Sequence, residues 1–469
     1  MLTHDEAVSF ATAVLNLQSR GKIPQVGITL RHRVMRIIRI TNNTQVVSAE
    51  SDRFHVIFRT SLGSNIPVEV DTSVRDLTTL RDLIHHVEQH ATPPLRPEDQ
   101  DEDRDAPWHV SEGQHTYLPT ALWHPATYDA LITPSQQVTA TLVERMRTSG
   151  FQCAGTIAVI ARAQLFFHPR GKLAWGEDTD SEVTATVHTV DGKSSGWSGQ
   201  AERNWAQMRP ERVVNDAIDM AARNRNPVRI EPGRYTAILG PAAVGGLFAE
   251  SCQQFNEGGP WAYDPPRDGK RTKIGERVCD TRLTMWSDPT DPNFGDYPFF
   301  EDRDGVPSGK ATWVEKGVLR ALSYLPEGAM AVGKTPIKEP QALRISGGDS
   351  SINDMIANCE RGIYVHRIGR TQIVDWRSGM ILGGTRDGCF FVQHGKIVSP
   401  AIDFRVYESP FIMINKVLAL GTPERVAFGF GRSRFYPLGR SADMWPRPPM
   451  VVPPMVVQDF NFSALCDAV

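Results

Sequence analysis

The chain has 469 residues, 40% hydrophobic and 22% charged, an ordinary balance for a soluble globular protein with room for two or three domains. A net charge of −3 excludes a bulk electrostatic pull toward nucleic acid or an anionic membrane surface. No apolar run approaches the roughly 20 residues of a membrane span, and the opening MLTHDEAVSF lacks the regions of a signal peptide, so a cytoplasmic setting is expected.

Thr3 and Glu6 have the spacing of a capping box and open a first predicted helix, continued by Ala7, Phe10, Ala11, Val14 and Leu15. Residues 26–30, 34–40, 46–48 and 54–59 then read as short β runs with a turn at Asn42-Asn43. Their connections are too short for parallel crossovers, so an antiparallel meander is predicted. A helix follows over 74–90, then the polar stretch 93–107, read as a solvated loop without calcium-loop spacing. Residues 134–150 read as a helix, 155–167 and 183–190 as strands, and 210–223 as a helix with Val213, Val214, Ala217, Ile218 and Ala221 inward. The polar run 223–227 breaks that helix and places a domain boundary, giving domains 1–227 and 228–469.

The second part opens with a strand over 235–239, a turn at Gly240 and a helix begun by Pro241. Val244, Leu247, Phe248, Cys252 and Phe255 form its apolar face, with Glu250, Gln253, Gln254 and Glu257 on the other side. Beyond it come short β runs at 282–286, 310–313, 318–323, 362–366, 380–382, 389–392 and 404–406, with short helices at 352–358 and 411–417. The predicted class is α+β: an N-terminal antiparallel sheet with flanking helices, then a β-rich domain with a curved-sheet or barrel-like core.

The zinc-protease signature HExxH does not occur. Six cysteines (Cys153, Cys252, Cys279, Cys359, Cys389 and Cys466) show no metal-type spacing and read as buried reduced thiols. His86 and His90 stand four apart around Glu88, a ligand-like spacing that lacks a third partner and reads as a solvent-facing pair. Cys359-Glu360 and His366 would need spatial contact to act as a Cys–His pair. Residues 302–307, DRDGVP, read as a structural turn.

Several segments together resemble the TldD/PmbA, or TldD/TldE, metalloprotease family. They are Pro232-Gly233-Arg234-Tyr235 with the strand and helix after it, residues 302–307, Lys316-Gly317-Val318-Leu319, residues 360–365, Ser378-Gly379, His394-Gly395-Lys396-Ile397 and the Pro-rich run before Val456. The resemblance implies a zinc peptidase subunit carrying HExxxH and a C-terminal cysteine, paired with a non-catalytic subunit. Laid on this chain, the HExxxH window falls on Ala249, Glu250 and Gln254: both histidines are replaced, and only the general-base position is kept, as Glu250. Residues 426–440, where the cysteine ligand is expected, contain none, and Cys466 comes too late. A neutral glutamine is a poor zinc ligand and alanine is none. A harder metal held by the oxygens of Glu250, Gln254 and Glu257 is the alternative chemistry of that helix.

The chain therefore resembles the zinc-less TldE/PmbA-type subunit, a pseudoenzyme with no confident catalytic, cofactor or metal residues of its own. Zinc is expected in a TldD-like partner of a heterodimer. The implied substrate is an unfolded protein, a peptide or a precursor leader peptide, with no nucleic-acid or membrane partner. Two rivals stay open: an independently active hydrolase using Cys252 or Cys359 as nucleophile, and a peptide-binding scaffold.

Overall fold

A computed structural model describes residues 1–17, 26–62, 66–90, 116–117, 122–168, 172–267, 270–291, 310–324, 326–340, 342–428 and 450–466. The polar stretch 93–107, the turn 302–307 and most of the expected cysteine segment 426–440 lie outside the described residues.

Helix α1 (His4–Leu15) starts from the expected capping box, the Thr3 hydroxyl accepting from the Glu6 amide while Glu6 caps back to Thr3. Strands β1 (Val26–Thr41) and β2 (Thr44–Leu62) form one long hairpin rather than four short runs. The backbone ladder carries on through Arg31 and Arg33, which interrupt the apolar pattern without interrupting the pairing. Asn42 and Asn43 both turn in the left-handed region, at φ 49° and 59°, a twist-matched hairpin turn that asparagine tolerates. Strand β3 (Ile66–Thr72), not expected, extends the sheet before α2 (Leu77–His90). Strand β4 (Thr116–Tyr117) and helices α3 (Pro125–Asp129) and α4 (Thr133–Thr148) follow. Then come β5 (Gln152–His168), β6 (Lys172–His188), β7 (Ser195–Glu202) and α5 (Pro210–Arg223).

The sheet order is β3-β2-β1-β5-β6-β4, with β7 also on β6, and all pairs but β4–β6 are antiparallel. The helices share one face of it. Ile157, Val159 and Ala161 of β5 meet α4 and α5, whereas Ala163 and Leu165, farther along the same side, meet α1 and α2. The opposite side of β5 and β6 carries buried polar groups, among them Arg162, Asp178, Asp180 and Glu182.

The second half begins with β8 (Gly233–Leu239) and α6 (Pro241–Ser251), continued by a 3-10 turn over Cys252–Gln254. A small hairpin of β9 (Ala262–Arg267) and β10 (Lys270–Thr272) leads to β11 (Met285–Ser287), β12 (Ala311–Glu315) and β13 (Val318–Leu319). Helix α7 (Pro326–Ala331), β14 (Arg344–Ile345) and α8 (Ile352–Ala357) precede the long hairpin β15 (Arg361–Asp375) and β16 (Met380–Gln393). The chain ends through β17 (Lys396–Pro400), β18 (Phe404–Glu408), α9 (Pro410–Met413), β19 (Val417–Leu420), β20 (Glu424–Val426), β21 (Met450–Val452) and β22 (Met455–Leu465).

Strands β8, β22, β18, β16 and β15 close on one another as a five-stranded barrel, because β15 pairs with both β16 and β8. Closure removes the sheet edges that an open curved sheet would expose. Ala237, Leu239, Ile363, Val365, Phe404, Val406, Phe460 and Phe462 share one buried core cluster with the apolar side of α6. A second sheet, β13-β12-β11-β14-β21-β20, packs beyond α6.

Two expectations change here. The runs at 380–382 and 389–392 are one strand, β16. The helix predicted over 411–417 stops at Met413, and Val417 instead pairs with Val457 in β22, where tertiary pairing overrides local helical spacing. Strand β22, which closes the barrel, was not recognised in the sequence.

Candidate functional site

Strand β8 delivers the chain to Gly240, whose amide donates to the Val365 carbonyl and whose backbone opens α6. Pro241 takes the first helical position as expected. The helix then lies directly on β15. A Cβ built on Gly246 would stand 2.2 Å from the Ile368 carbonyl oxygen, so only glycine permits this approach. Val244, Leu247, Phe248, Cys252 and Phe255 are all buried, as their spacing predicts.

The other side of α6 is not the polar face that the sequence suggests. Glu250 is 9% exposed and Gln254 is fully buried, while Gln253 is half-buried and Glu257 exposed. The reason is the β15–β16 hairpin, whose tip folds over the end of the helix. Gln254 Nε2 donates to the Trp376 carbonyl at 2.8 Å. The tip is held by Asp375, which accepts from the Ser378 hydroxyl and the Arg377 amide. Gln254 Oε1 is a buried acceptor with no hydrogen-bond partner. Ala249, half-buried, offers no donor atom.

This donor set does not fit zinc. A tetrahedral zinc site needs nitrogen or sulfur ligands in three or four directions. Here one position is a methyl group and another a neutral amide whose nitrogen is already committed to Trp376. Nor do Glu250, Gln254 and Glu257 form an oxygen site: the helix ends at Ser251, and Glu257 stands exposed beyond it. Among the described residues no group of three or more His, Cys, Asp or Glu side chains is placed to hold a metal.

The remaining candidates are dispersed. His86 is exposed on α2, and the side chain of His90 lies outside what is described. His366 is not turned to Cys359: its Nε2 lies 3.0 Å from the Trp197 carbonyl and its Nδ1 3.4 Å from the Tyr364 hydroxyl. Burial pushes the Cys359 thiol up and holds His366 below its ordinary value, the opposite of an activated thiolate–imidazolium pair. Cys252 is 2% exposed. Burial also raises Cys153 and Cys389, and carries Cys279 up to about 12.

Two polar assemblies were missed by sequence reading. One is an acidic row on β6. Asp178 is fully buried between Arg162, whose Nε donates at 2.6 Å, and Arg203 at 3.0 Å. Asp180 meets Arg425 at 3.4 Å, and Glu182 accepts from the Phe428 amide at 3.2 Å. Residues two apart on a strand share a face, so this row joins the N-terminal sheet to the chain around β20. Its only sequence signal is the alternation Asp178, Asp180, Glu182. The other is a groove at the start of β8, lined by Arg234, Tyr235, Arg361, Gln458 and Asp459. No local motif marks it, because its three walls come from stretches about 100 or more residues apart in sequence.

Residues 232–464 match the PmbA/TldA metallopeptidase C-terminal domain. Among characterised sequences, a metalloprotease of Methanothermobacter thermautotrophicus is 28% identical over 170 residues, covering 34% of this chain and 37% of that one. The metalloprotease TldD homolog of Haemophilus influenzae is 24% identical over 232 residues, covering 46% of this chain and 47% of its own. The chain thus spans less than half the length of these relatives in alignment. The fold is similar over almost the whole chain to TldE of Thermococcus kodakarensis, with TM-score 0.74, 14% identity and coverage of 97% and 99%. It is equally close to a Bacteroides thetaiotaomicron protein named for modulation of DNA gyrase, with TM-score 0.76, 14% identity and coverage of 99% and 100%. Through its C-terminal half, the chain belongs to the TldD/PmbA family.

Proposed function

We propose that this chain is the zinc-less, TldE/PmbA-type subunit of a heterodimeric TldD/TldE-type metallopeptidase. It completes the channel through which a peptide or an unfolded protein segment reaches a catalytic partner. The observation that carries the reading is the end of α6, where Ala249 and an amide-bonded Gln254 stand at the two positions that would hold zinc. Glu250 keeps the position of a general base but has no metal-bound water to act on, and it serves instead as a buried structural acid. Zinc and proteolysis belong to a TldD-like partner bearing HExxxH and a cysteine. The chain divides into two domains, 1–227 and 228–469, in a cytoplasmic enzyme. No helix among the described residues is long and apolar enough to cross a membrane.

The test is to purify the chain alone and together with an HExxxH-bearing TldD-like protein, and to measure zinc and peptide cleavage in each. The expected result is zinc and cleavage only with the partner. Stoichiometric zinc in the chain alone, or cleavage without the partner, overturns the reading. Iodoacetamide separates it from the thiol-hydrolase alternative: Cys252 and Cys359 remain unlabelled in the native protein, whereas half-buried Cys466 is the accessible thiol.

A further inference from the structure

The groove at the start of β8 has an open volume of about 430 Å3. Pairing between β15 and β8 begins at Gly362 and Thr236, while β22 pairs with β8 as far as Gly233. Residues 233–235 of β8 therefore have a strand neighbour on the β22 side and none from β15. Arg361, at the first position of β15, lies across the opening thus left. Its guanidinium sits 5.5 Å from the Tyr235 ring centre and 6.0 Å from that of Phe391, and it has no carboxylate partner among the described residues.

The opposite wall is a bulge in β22. The register shifts between Val457 and Phe460, and Asp459 takes φ 56°. Its carboxylate is met by Arg234 at 3.3 Å and by Lys416 at 2.9 Å. One acid thus faces two cations, and Arg361 brings a further positive charge to the groove. Gln458 brings an amide to the same wall. A planar guanidinium held on aromatic faces, with its donor edges unspent, is suited to bidentate recognition of a carboxylate. A strand segment without its neighbour is a template for an added extended peptide.

We propose that this groove binds the C-terminal carboxylate of an extended peptide, with Arg361 as the bidentate partner of the carboxylate and residues 233–235 aligning the peptide backbone. The proposal rests on the peptide-handling role above and assigns a docking position to it. Arg361 is a binding residue here, outside any reacting centre.

The experiment is fluorescence anisotropy with a fluorescein-labelled Ala-Ala-Val-Leu peptide, as the free acid and as the C-terminal amide, titrated with the full chain. The free acid is expected to bind about tenfold more tightly than the amide, the difference one good charge-assisted contact supplies. Arg361→Gln removes that preference, and Arg361→Lys, which keeps the charge but not the fork, restores part of it. An unchanged melting temperature shows that these exposed-site variants fold. Equal binding of acid and amide, or an unaltered preference in Arg361→Gln, overturns the proposal. So does equally tight binding of an amidated peptide with an internal glutamate, since that makes a side-chain carboxylate the ligand. Cleavage by the chain mixed with a TldD-like partner is scored separately. An active pair without acid preference removes the groove and leaves the subunit role, whereas acid preference without an active pair removes the subunit role and leaves the groove.

Discussion

The acidic row of β6 and the end of α6 are both buried and polar, yet they are built on opposite terms. On β6, Asp178 is matched by Arg162 and Arg203, and Asp180 by Arg425. At the end of α6 a single amide reaches Trp376 and leaves one oxygen without a partner. A buried charge persists only with a counter-charge and hydrogen bonds around it. A neutral amide tolerates partial satisfaction at far lower cost. The first arrangement ties separate stretches of the chain together. The second ties a hairpin tip to the helix through one neutral amide.

The largest test breaks the first arrangement. Asp178→Asn removes the negative charge from between two buried guanidinium groups, and urea denaturation should show a loss of about 3–5 kcal/mol. Packing rather than charge is tested next by Gly246→Ala, whose new methyl would meet the Ile368 carbonyl. A loss of about 1–3 kcal/mol is expected, since α6 must move off β15.

Asp403 stands between the two extremes. It accepts from the Thr385 hydroxyl at 2.8 Å, and burial, with the Asp387 carboxylate adding, pushes it up to about 7 against partial relief from Arg386. An acid with a raised folded-state value keeps its proton in the fold after the unfolded chain has lost it. Its penalty is therefore absent below the ordinary 3.8 and grows as pH rises toward about 7. Asp403→Asn should stabilise the protein more at pH 8 than at pH 4, by on the order of 1–2 kcal/mol in paired melts. A pH-independent effect would show that Asp403 titrates alike in both states.

Gln254→Met sharpens the other side of the comparison. It gives up the bond to Trp376 but removes the orphan oxygen, so the net change should stay within about 1 kcal/mol; a much larger loss would mean that the amide organises the hairpin tip. The smallest effect belongs to an exposed pair. Arg212 and Asp216 on α5 are 3.4 Å apart at solvent-facing positions, and Arg212→Ala should change stability by no more than about 0.5 kcal/mol, and less in high salt.

Much of the local structure was legible. Thr3 with Glu6, Asn42-Asn43, Pro210 and Gly240-Pro241 each act through neighbours in sequence, so capping, turn and helix-start chemistry identify them directly. The apolar side of α6 followed from spacing alone, whereas Ala249 and Gln254 read as replaced ligand positions only through the resemblance to the family. What the sequence misjudged depended on distant partners. Val417 reads as the end of a helix until β22 pairs with it, and Gln254 reads as part of a polar face until the β15–β16 hairpin covers it.

The chemical inventory of this protein, including the donors that α6 does not carry, was set by residue identity, because no fold can give alanine a ligand atom. Closure of the barrel through β22, burial of Glu250 and Gln254, pairing of the β6 acids with Arg162, Arg203 and Arg425, and the groove that Arg361 shares with Arg234 and Asp459 were decided by the tertiary structure alone. Those contacts join residues far apart in the chain, and no local pattern records which of them will become neighbours.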